Sequence, residues 1–481
     1  MLFSPHPKLA RTALALPAAL CVLLAGCALT PPQPPDPVTP PAVFKQAGPW
    51  QRATAQTPVP DAWWTLFQDP VLDDLQRRLV IGNENLKSVV AQIASARAAL
   101  DASRSAVFPT LSAGLSASRS GNPDTTVVTS SNGTVLNSRA PSNTVSLSAT
   151  ANWEIDLWGR LSQASSGAQA QLQASVDDLA AARLSAQATL AQTYFSLRSA
   201  EAQYALLERS VQAYQRSLDL TQLRYNAGVV ARSDVLQAQT QLKSAQAQML
   251  ESATQRAQLE HAIAVLLGIP PSELTLARTD TLPLSPAVPE LLPATLLERR
   301  PDIAAAQRRV TAAYAQIGVA NAAFYPSLNL SASAGYRNTS LANLISAPNL
   351  FWSLGSSLAQ AIFDGGQRKL ASAQARASAE QATSTYRQTV LTALQEVEDN
   401  LVLAEQLQRE AQLQDEALQA ARRVLEITLD QYRAGTVSYL NVVAAQTAVL
   451  NSESSLLSVR NRQLAAVNQL LKNIAGRWDK A

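Results

Sequence analysis

Two stretches of this 481-residue chain follow one template: QLRYNAGVVARSDVLQAQTQL at 222–242 and LDQYRAGTVSYLNVVAAQTAV at 429–449. They align without gaps, Tyr225 on Tyr432, Gly228 on Gly435, Val235 on Val442, Gln239 on Gln446 and Thr240 on Thr447. The repetition reaches further. Residues 79, 86, 93, 100 and 107 are Leu, Leu, Ile, Leu and Val; residues 296, 303, 310, 317 and 324 are Leu, Ile, Val, Ile and Phe. An apolar residue every seven positions is the seam of helices packed side by side. Each ladder stops at an aromatic–proline break, Phe108–Pro109 and Tyr325–Pro326. The stretches Leu161–Tyr225 and Gln367–Tyr432 contain no proline, and Gly167 is their one glycine. Unbroken, each helix reaches roughly 100 Å at 1.5 Å per residue. A bilayer core is about 30 Å thick, so such helices project far beyond a membrane, and they are too polar to lie within it.

Composition narrows the function. Charged residues are 16% and aromatics 5% of the chain, with a formal net charge of +3. That balance suits long helices with modest cores and points to no acidic partner. No phosphate loop, nucleophile elbow or nucleic-acid pattern is present, so neither nucleic acid nor a cofactor is expected. Cys21, Cys27 and His6 all lie near the N-terminus, and only His261 remains beyond them. A disulfide, a Cys/His metal cluster or a cysteine nucleophile therefore has no residues to use there. The chain is expected not to be an enzyme, and His261 to sit at a surface or in packing.

Lys8 and Arg11 precede the apolar run ALALPAALCVLLAG. This reads as a secretory signal over 1–26, too short to span a bilayer. It ends in LAGC, Leu24–Cys27, which resembles the lipobox of bacterial lipoproteins. The resemblance implies lipidation at Cys27, and Ala28 after it implies sorting to the outer membrane. Ten of the 30 residues from Pro31 to Pro60 are proline, so 27–60 is expected to be an extended tether behind the lipid.

Four segments alternate with period two. In TVSLSATANWEIDL, 144–157, Val145, Leu147, Ala149, Ala151, Trp153, Ile155 and Leu157 share one face. Asn152, Glu154 and Asp156 lie on the other, with Ser and Thr. In LNLSASAGYR, 328–337, Arg337 lies with Asn329, Ser331 and Ser333 opposite Leu328, Leu330 and Tyr336. The segments 110–118 and 350–363 alternate less cleanly. One apolar and one polar face over about ten residues fits a membrane-barrel strand or a half-buried soluble sheet.

The chain therefore reads as two repeats of helix, strand, strand, long helix, turn and helix, over 61–275 and 295–475, joined by a linker at 276–294 and followed by a tail at 476–481. Four strands cannot stand alone in lipid, where each unsatisfied edge group costs several kcal/mol. Copies must join and close a barrel. Two copies give eight strands, a barrel filled by its own side chains, so an open passage favours three or more.

At this point the sequence resembles the TolC-like outer-membrane efflux proteins, in the lipoprotein branch called NodT-type. The resemblance runs from about Trp63 to Ile474. It is carried by WWTLFQDPVLDDL, NWEIDLWGR, LLERRPDIAAAQRRVTAAYAQIGVANAAFYPSL and IFDGGQR. It implies a homotrimer with a twelve-stranded barrel in outer-membrane lipid and a long coiled-coil barrel of helices in the periplasm. It also implies a periplasmic membrane-fusion adaptor and an inner-membrane pump of RND type, exporting small molecules such as drugs. Tyr225, Gly228, Tyr432 and Gly435 match turn positions where adaptors dock. Leu440 matches a leucine ring that pinches the closed end, and Ala444 stands where relatives carry an acid. Asp234 is a candidate to supply acid nearby, and Ser233 or Asp234 to cap the returning helix. Two other roles are open to such a chain: the duct of a type I protein secretion system, and a structural coiled-coil envelope lipoprotein.

Three features carry competing readings. Glu154 and Asp156 form either a cation-favouring lumen wall or a merely solvated face. QEVEDN, 395–400, lacks a histidine to complete a metal site and is expected to be a solvated or tunnel-lining face. Trp153 and Trp158 mark either an aromatic belt at the membrane surface or ordinary packing.

Overall fold

The computed structural model describes residues 62–121, 141–286 and 300–474, with short stretches at 33–34, 36, 38–39, 41–45, 50–51, 127–129, 135–137 and 288–289. Cys27 and its lipobox lie outside the described residues. The fold is mainly helical. Its main helices are α1 (Pro70–Gly82), α2 (Glu84–Ser105), α3 (Arg160–Asn226), α4 (Arg232–Leu266), α5 (Pro301–Ala322), α6 (Gln367–Ala434) and α7 (Tyr439–Ile474). The main strands are β1 (Thr110–Ser120), β2 (Ser142–Ile155), β3 (Ser327–Asn338) and β4 (Leu350–Ala359). The last strand stops short of the alternation expected to 363, and β2 stops at Ile155, so Asp156 lies beyond it. No described helix is long and apolar enough to cross a membrane.

The long helices match in length between the two halves of the chain: α2 and α5 have 22 residues each, α3 has 67 and α6 has 68, α4 has 35 and α7 has 36. Compactness divides the chain differently. One unit is drawn from 94–173 and 308–384, the other from 36–93, 174–307 and 385–481. Each half of the sequence thus contributes to both units.

The first unit holds an antiparallel meander in the order β1–β2–β3–β4. Its helical residues pack through small side chains. Ile317, Ala375 and Ala379 are buried together, and Gly167 sits against Ala315.

The second unit holds the larger core. Asp69 caps α1, accepting from the Val71 and Leu72 amides at 2.9 and 3.2 Å, and Pro70 fits the first helical position. Leu72, Leu75 and Leu79 then fall on one face and are fully buried with Trp63, Phe67, Phe195, Leu197, Val397 and Leu470. Each such side chain contributes about 1.5–3 kcal/mol by leaving water. Asn83 breaks the first apolar ladder between two helices. Its amide donates to the Leu79 carbonyl, its Oδ1 accepts from Leu86, and its Nδ2 donates to the Leu266 carbonyl at 2.7 Å.

Three guanidinium groups, Arg300 and Arg198 buried and Arg256 nearly so, order the polar interior of this unit. Arg300, at the head of α5, donates to Asp302, to Glu396 of α6 and to Asn473 of α7. Burial alone would raise the Asp302 carboxyl, but the bonds and charge of Arg300 hold it below the usual carboxylate range. Glu396 is therefore a partly buried acceptor, while Gln395 and Asp399 of the same stretch are exposed, in keeping with a solvated face there. Arg256 joins Glu201 and Glu260 and donates to the Leu276 carbonyl, while Arg198 joins Glu201 and the Ala277 carbonyl. The linker after α4 is thereby fastened to α3 and α4. His261 is exposed.

The ends of α1 and α4 meet backbone to backbone. A Cβ on Gly82 would lie 2.0 Å from the Leu267 oxygen, and one on Gly268, whose φ is +70°, would lie 2.1 Å from the Gly82 oxygen. Neither position has room for a side chain. Gly268→Ala and Gly82→Ala are each expected to destabilise the protein by about 2 kcal/mol or more. Gly114→Ala in β1, where no atom lies within 4 Å of the added carbon, is expected to be near neutral. Thermal melts followed by far-ultraviolet circular dichroism in detergent check this; equal melting for all three variants would refute it.

Candidate functional site: a two-faced sheet and two glycine turns

In the sheet, the cross-strand register sorts the side chains onto two faces. Asn152 of β2 lies opposite Thr110 and Ser331, Thr150 opposite Ser112 and Ser333, and Ser146 opposite Ser116 and Arg337. Ser333 continues to Ser353, and Asn329 to Ser357. This face of the four strands is mostly Ser, Thr, Asn and Gly, with Glu154, Arg337 and Phe351 also on it, and is laced by Ser116–Ser146 and Ser333–Ser353 hydroxyl bonds of 2.8 and 3.0 Å. The other face carries Leu111, Leu115, Leu147, Trp153, Leu330, Leu354 and Leu358. Leu111, Leu115, Trp352, Leu354 and Leu358 are 64–78% exposed. Residues this apolar do not normally face water together. The unpaired sides of β1 and β4 end the sheet among the described residues.

Both passages from strand to long helix are built by carboxylates. Glu154 is held by a two-pronged ion pair to Arg160, with contacts of 3.0 and 2.7 Å. Asp156 accepts from the Leu161 and Ser162 amides, capping α3. Neither is a free charge on a wall. Asp364 likewise accepts from Gly366 and Arg368 ahead of α6, where Gly365 and Gly366 take positive φ. Trp158 stacks on Tyr325 at 4.8 Å and donates to the Pro326 carbonyl; Trp153 donates to the Val107 carbonyl and is 40% exposed on the apolar face.

In the second unit, α3–α4 and α6–α7 are joined by turns of one design. Gly228, with φ +73°, donates to the Tyr225 carbonyl while Val229 donates to that of Arg224. Gly435, with φ +81°, donates to Tyr432 while Thr436 donates to Gln431. Both are Schellman closures, which need a left-handed residue that glycine adopts without a Cβ penalty. The expected side-chain cap is not there. Ala231 caps α4 with no side-chain bond, and Asp234 sits in the first turn, where its charge suits the helix dipole.

The two turn tyrosines differ. Tyr225 is 39% exposed, whereas Tyr432 is 2% exposed and packs with Ala238, Tyr439 and Val442. Its hydroxyl meets that of Thr221 at 3.1 Å, and its carbonyl accepts from Arg224, whose guanidinium lies 4.6 Å over the Tyr432 ring. Gln446 donates to Ser217 at 2.9 Å. Thr221, Arg224, Ser217 and Gln446 thus tie α3 to α6 and α7. Sequence reading missed them as a group; the basic residue in the last turn of α3 was their one visible mark. Leu440 stands 59% exposed, with Ala444 exposed one turn on, beside the buried Tyr439.

Comparison with known proteins settles the family. The sequence profile described as outer membrane efflux protein matches residues 76–269 and 292–476. The chain belongs to the outer membrane efflux protein family. The toluene efflux pump outer membrane protein TtgC of Pseudomonas putida is 29% identical over 471 residues, covering 96% of this chain and 95% of that one. The antibiotic efflux pump outer membrane protein ArpC of Pseudomonas putida shows the same identity and coverage. The solved outer-membrane channel OprN superposes with a TM-score of 0.84 at 28% identity, over 93% of this chain and 99% of that one. This outer membrane efflux protein is accordingly a channel of the outer membrane that serves efflux. Among its described residues no group of His, Cys, Asp and Glu is placed to hold a metal.

Tyr439 offers a direct probe of how tightly the outer membrane efflux protein is packed at its second turn. Burial, with Tyr432, Tyr214 and Asp234 nearby, pushes its hydroxyl up to about 12. An unfolded tyrosine titrates near about 10. The folded value is the higher, so this contribution to stability is whole below pH ~10 and is lost as pH rises through about 12. A tyrosinate absorbance titration is expected to show a component near pH 12 that Tyr439→Phe removes. Its persistence in the variant would refute the assignment.

Proposed function

We propose that three copies of this chain close their sheets edge to edge into a twelve-stranded barrel, hydroxyl face inward and apolar face to lipid. Residues 61–275 and 295–475 act as two repeats, each supplying a strand pair and its helices. The observation that carries this reading is the sorting of all four strands into one hydroxyl and one apolar face, with both outer edges unpaired. From Leu328 to Tyr336 the apolar face of β3 rises about 27 Å along the strand, or about 20 Å at barrel tilt. That is close to the roughly 25 Å lipid-facing band of such barrels. A coiled-coil scaffold without a barrel has no use for this face.

In this reading the long helices form a periplasmic tunnel. A membrane-fusion adaptor docks at the Gly228 and Gly435 turns, and an inner-membrane pump of RND type supplies the energy. The duct itself is passive. Relatives named for toluene and for antibiotics support small organic molecules as cargo. Cys27 carries the lipid, and 27–60 tethers it. The gate is the ring made by three copies of Leu440, whose exposed side chain is carried on a helix fixed by the buried Tyr439, Val442 and Gln446.

The test of the assembly is the purified protein in detergent. It is expected to run as a trimer on a gel and to become a monomer on heating; a stable monomer in bilayers overturns the reading. For the gate, Leu440→Ala removes side-chain bulk from an exposed position, so folding is unaffected. Single-channel conductance in planar bilayers is expected to rise several-fold. An unchanged conductance removes Leu440 from the constriction.

A further inference from the structure

The hydroxyl face of the sheet carries two charged residues among those described, Glu154 and Arg337. They stand at opposite ends of it. Glu154 pairs with Asn329 at the end nearest the long helices, and Arg337 pairs with Ser146 beside the tip loop that follows β3. Their surroundings differ in kind. Glu154 is neutralised by the two-pronged bond to Arg160. Just past the strand, Asp156 faces the amides at the head of α3. Arg337 has no carboxylate within ion-pairing distance among the described residues. Its guanidinium carbon lies instead 4.8 Å over the ring of Phe351 on β4, which pairs with Gly335. A ring face holds a guanidinium in place without cancelling its charge. Between these rows the face of β2 and β3 is hydroxyl, amide and glycine only.

We propose that Arg337 is a specificity-determining residue that biases the outer part of the lumen toward anionic permeants. The proposal rests on the barrel reading. Twelve strands about 4.8 Å apart and tilted by about 40° enclose a radius of roughly 12 Å. Three guanidinium groups reaching inward from that wall lie within about one Debye length, ~10 Å at 0.1 M salt, of any ion on the axis. Their potentials overlap there, and low-dielectric walls strengthen the field. Phe351 keeps each cation against the wall, so the ring adds charge without narrowing the passage. The Glu154–Arg160 pair leaves the inner end without an equal and opposite ring. A cation-favouring wall at Glu154, one of the two readings open from the sequence, is not what this proposal expects.

The measurement is the reversal potential of the reconstituted full-length channel in a KCl gradient, for the natural protein and in the Leu440→Ala background. The chloride-to-potassium permeability ratio is expected to fall at least two-fold in Arg337→Gln and further in Arg337→Glu. Both shifts should grow as ionic strength falls. Arg337 is exposed, and Arg337→Lys, which keeps the charge, is expected to keep the ratio. A ratio unchanged in the Gln and Glu variants overturns the proposal. So does a ratio that falls equally in the Lys variant, since charge would then not be the cause. A second measurement separates the two readings. Arg337→Cys treated from outside with a membrane-impermeant anionic thiol reagent is expected to lower the ratio further. Full labelling without a change in current places residue 337 outside the permeation path and overturns the selectivity role while leaving the barrel standing. No conductance from any variant, natural protein included, sinks the barrel reading and this proposal with it.

Discussion

Backbone amides and carbonyls at the edge of a sheet have no partner in hydrocarbon, and the rest of this architecture follows from that. Four strands paired as a meander satisfy one another internally but leave β1 and β4 each with an open side. In water a charged or proline-broken edge would suffice. In the proposed barrel the outer face of Leu, Val, Ala and Trp meets hydrocarbon, where an edge needs another strand. Among the described residues no further strand joins this sheet. The two halves of the chain each bring a hairpin, and the strand–helix junctions at Glu154–Arg160 and Asp364–Arg368 pass from sheet to long helix without leaving a buried charge unpaired.

The helices solve a different problem with a different chemistry. Their contacts use Ala, Ser, Thr and Gln heavily, which permits close approach but contributes little burial per residue. Stability is therefore gathered at nodes. One lies around Trp63, Leu72 and Phe195; others lie where Arg300 and Arg256 bring several segments to one guanidinium. Guanidinium suits this role because its five donors fork in fixed directions and reach carbonyls as well as carboxylates. A buried charge network of this kind adds little net stability over apolar packing, but it fixes register, and register is what a long helix with a monotonous sequence lacks.

Much of this was legible in the sequence because the patterns were periodic. Period two gave four strands to within a few residues, and the absence of proline gave α3 and α6. The quoted stretches proved to be junctions: Asp69–Pro70 starts α1, Glu154, Asp156 and Arg160 turn β2 into α3, Arg300 and Asp302 start α5, and Asp364–Gly365–Gly366 start α6. What was not legible depended on distant partners. Nothing local says that Glu396 meets Arg300, ninety-six residues away, or that Thr221 meets Tyr432. Nor does alternation reveal that Glu154 is already paired, because Arg160 reaches it from the following helix. Asn83 was hidden for the opposite reason: the heptad ladder ran across it, and periodicity does not register a one-residue cap.

The two glycine turns show why a repeated sequence need not do one job twice. Their backbones are alike down to the Schellman bonds, so the repeat fixes how the chain reverses. The side chains then diverge. Tyr225 is left half exposed, while Tyr432 is buried, and the arginine one residue before Tyr225 reaches across to the Tyr432 carbonyl and ring. The position that aligns with Arg224 is Gln431, so no equivalent arm runs the other way. The tie restrains both turns, but its arginine comes from the first. At the α6–α7 end Tyr439, Val442 and Gln446 are buried and Leu440 is exposed. The first turn has buried anchors of its own in Val235 and Ala238; what sets the second apart is the buried pair Tyr432 and Tyr439 beside the exposed Leu440.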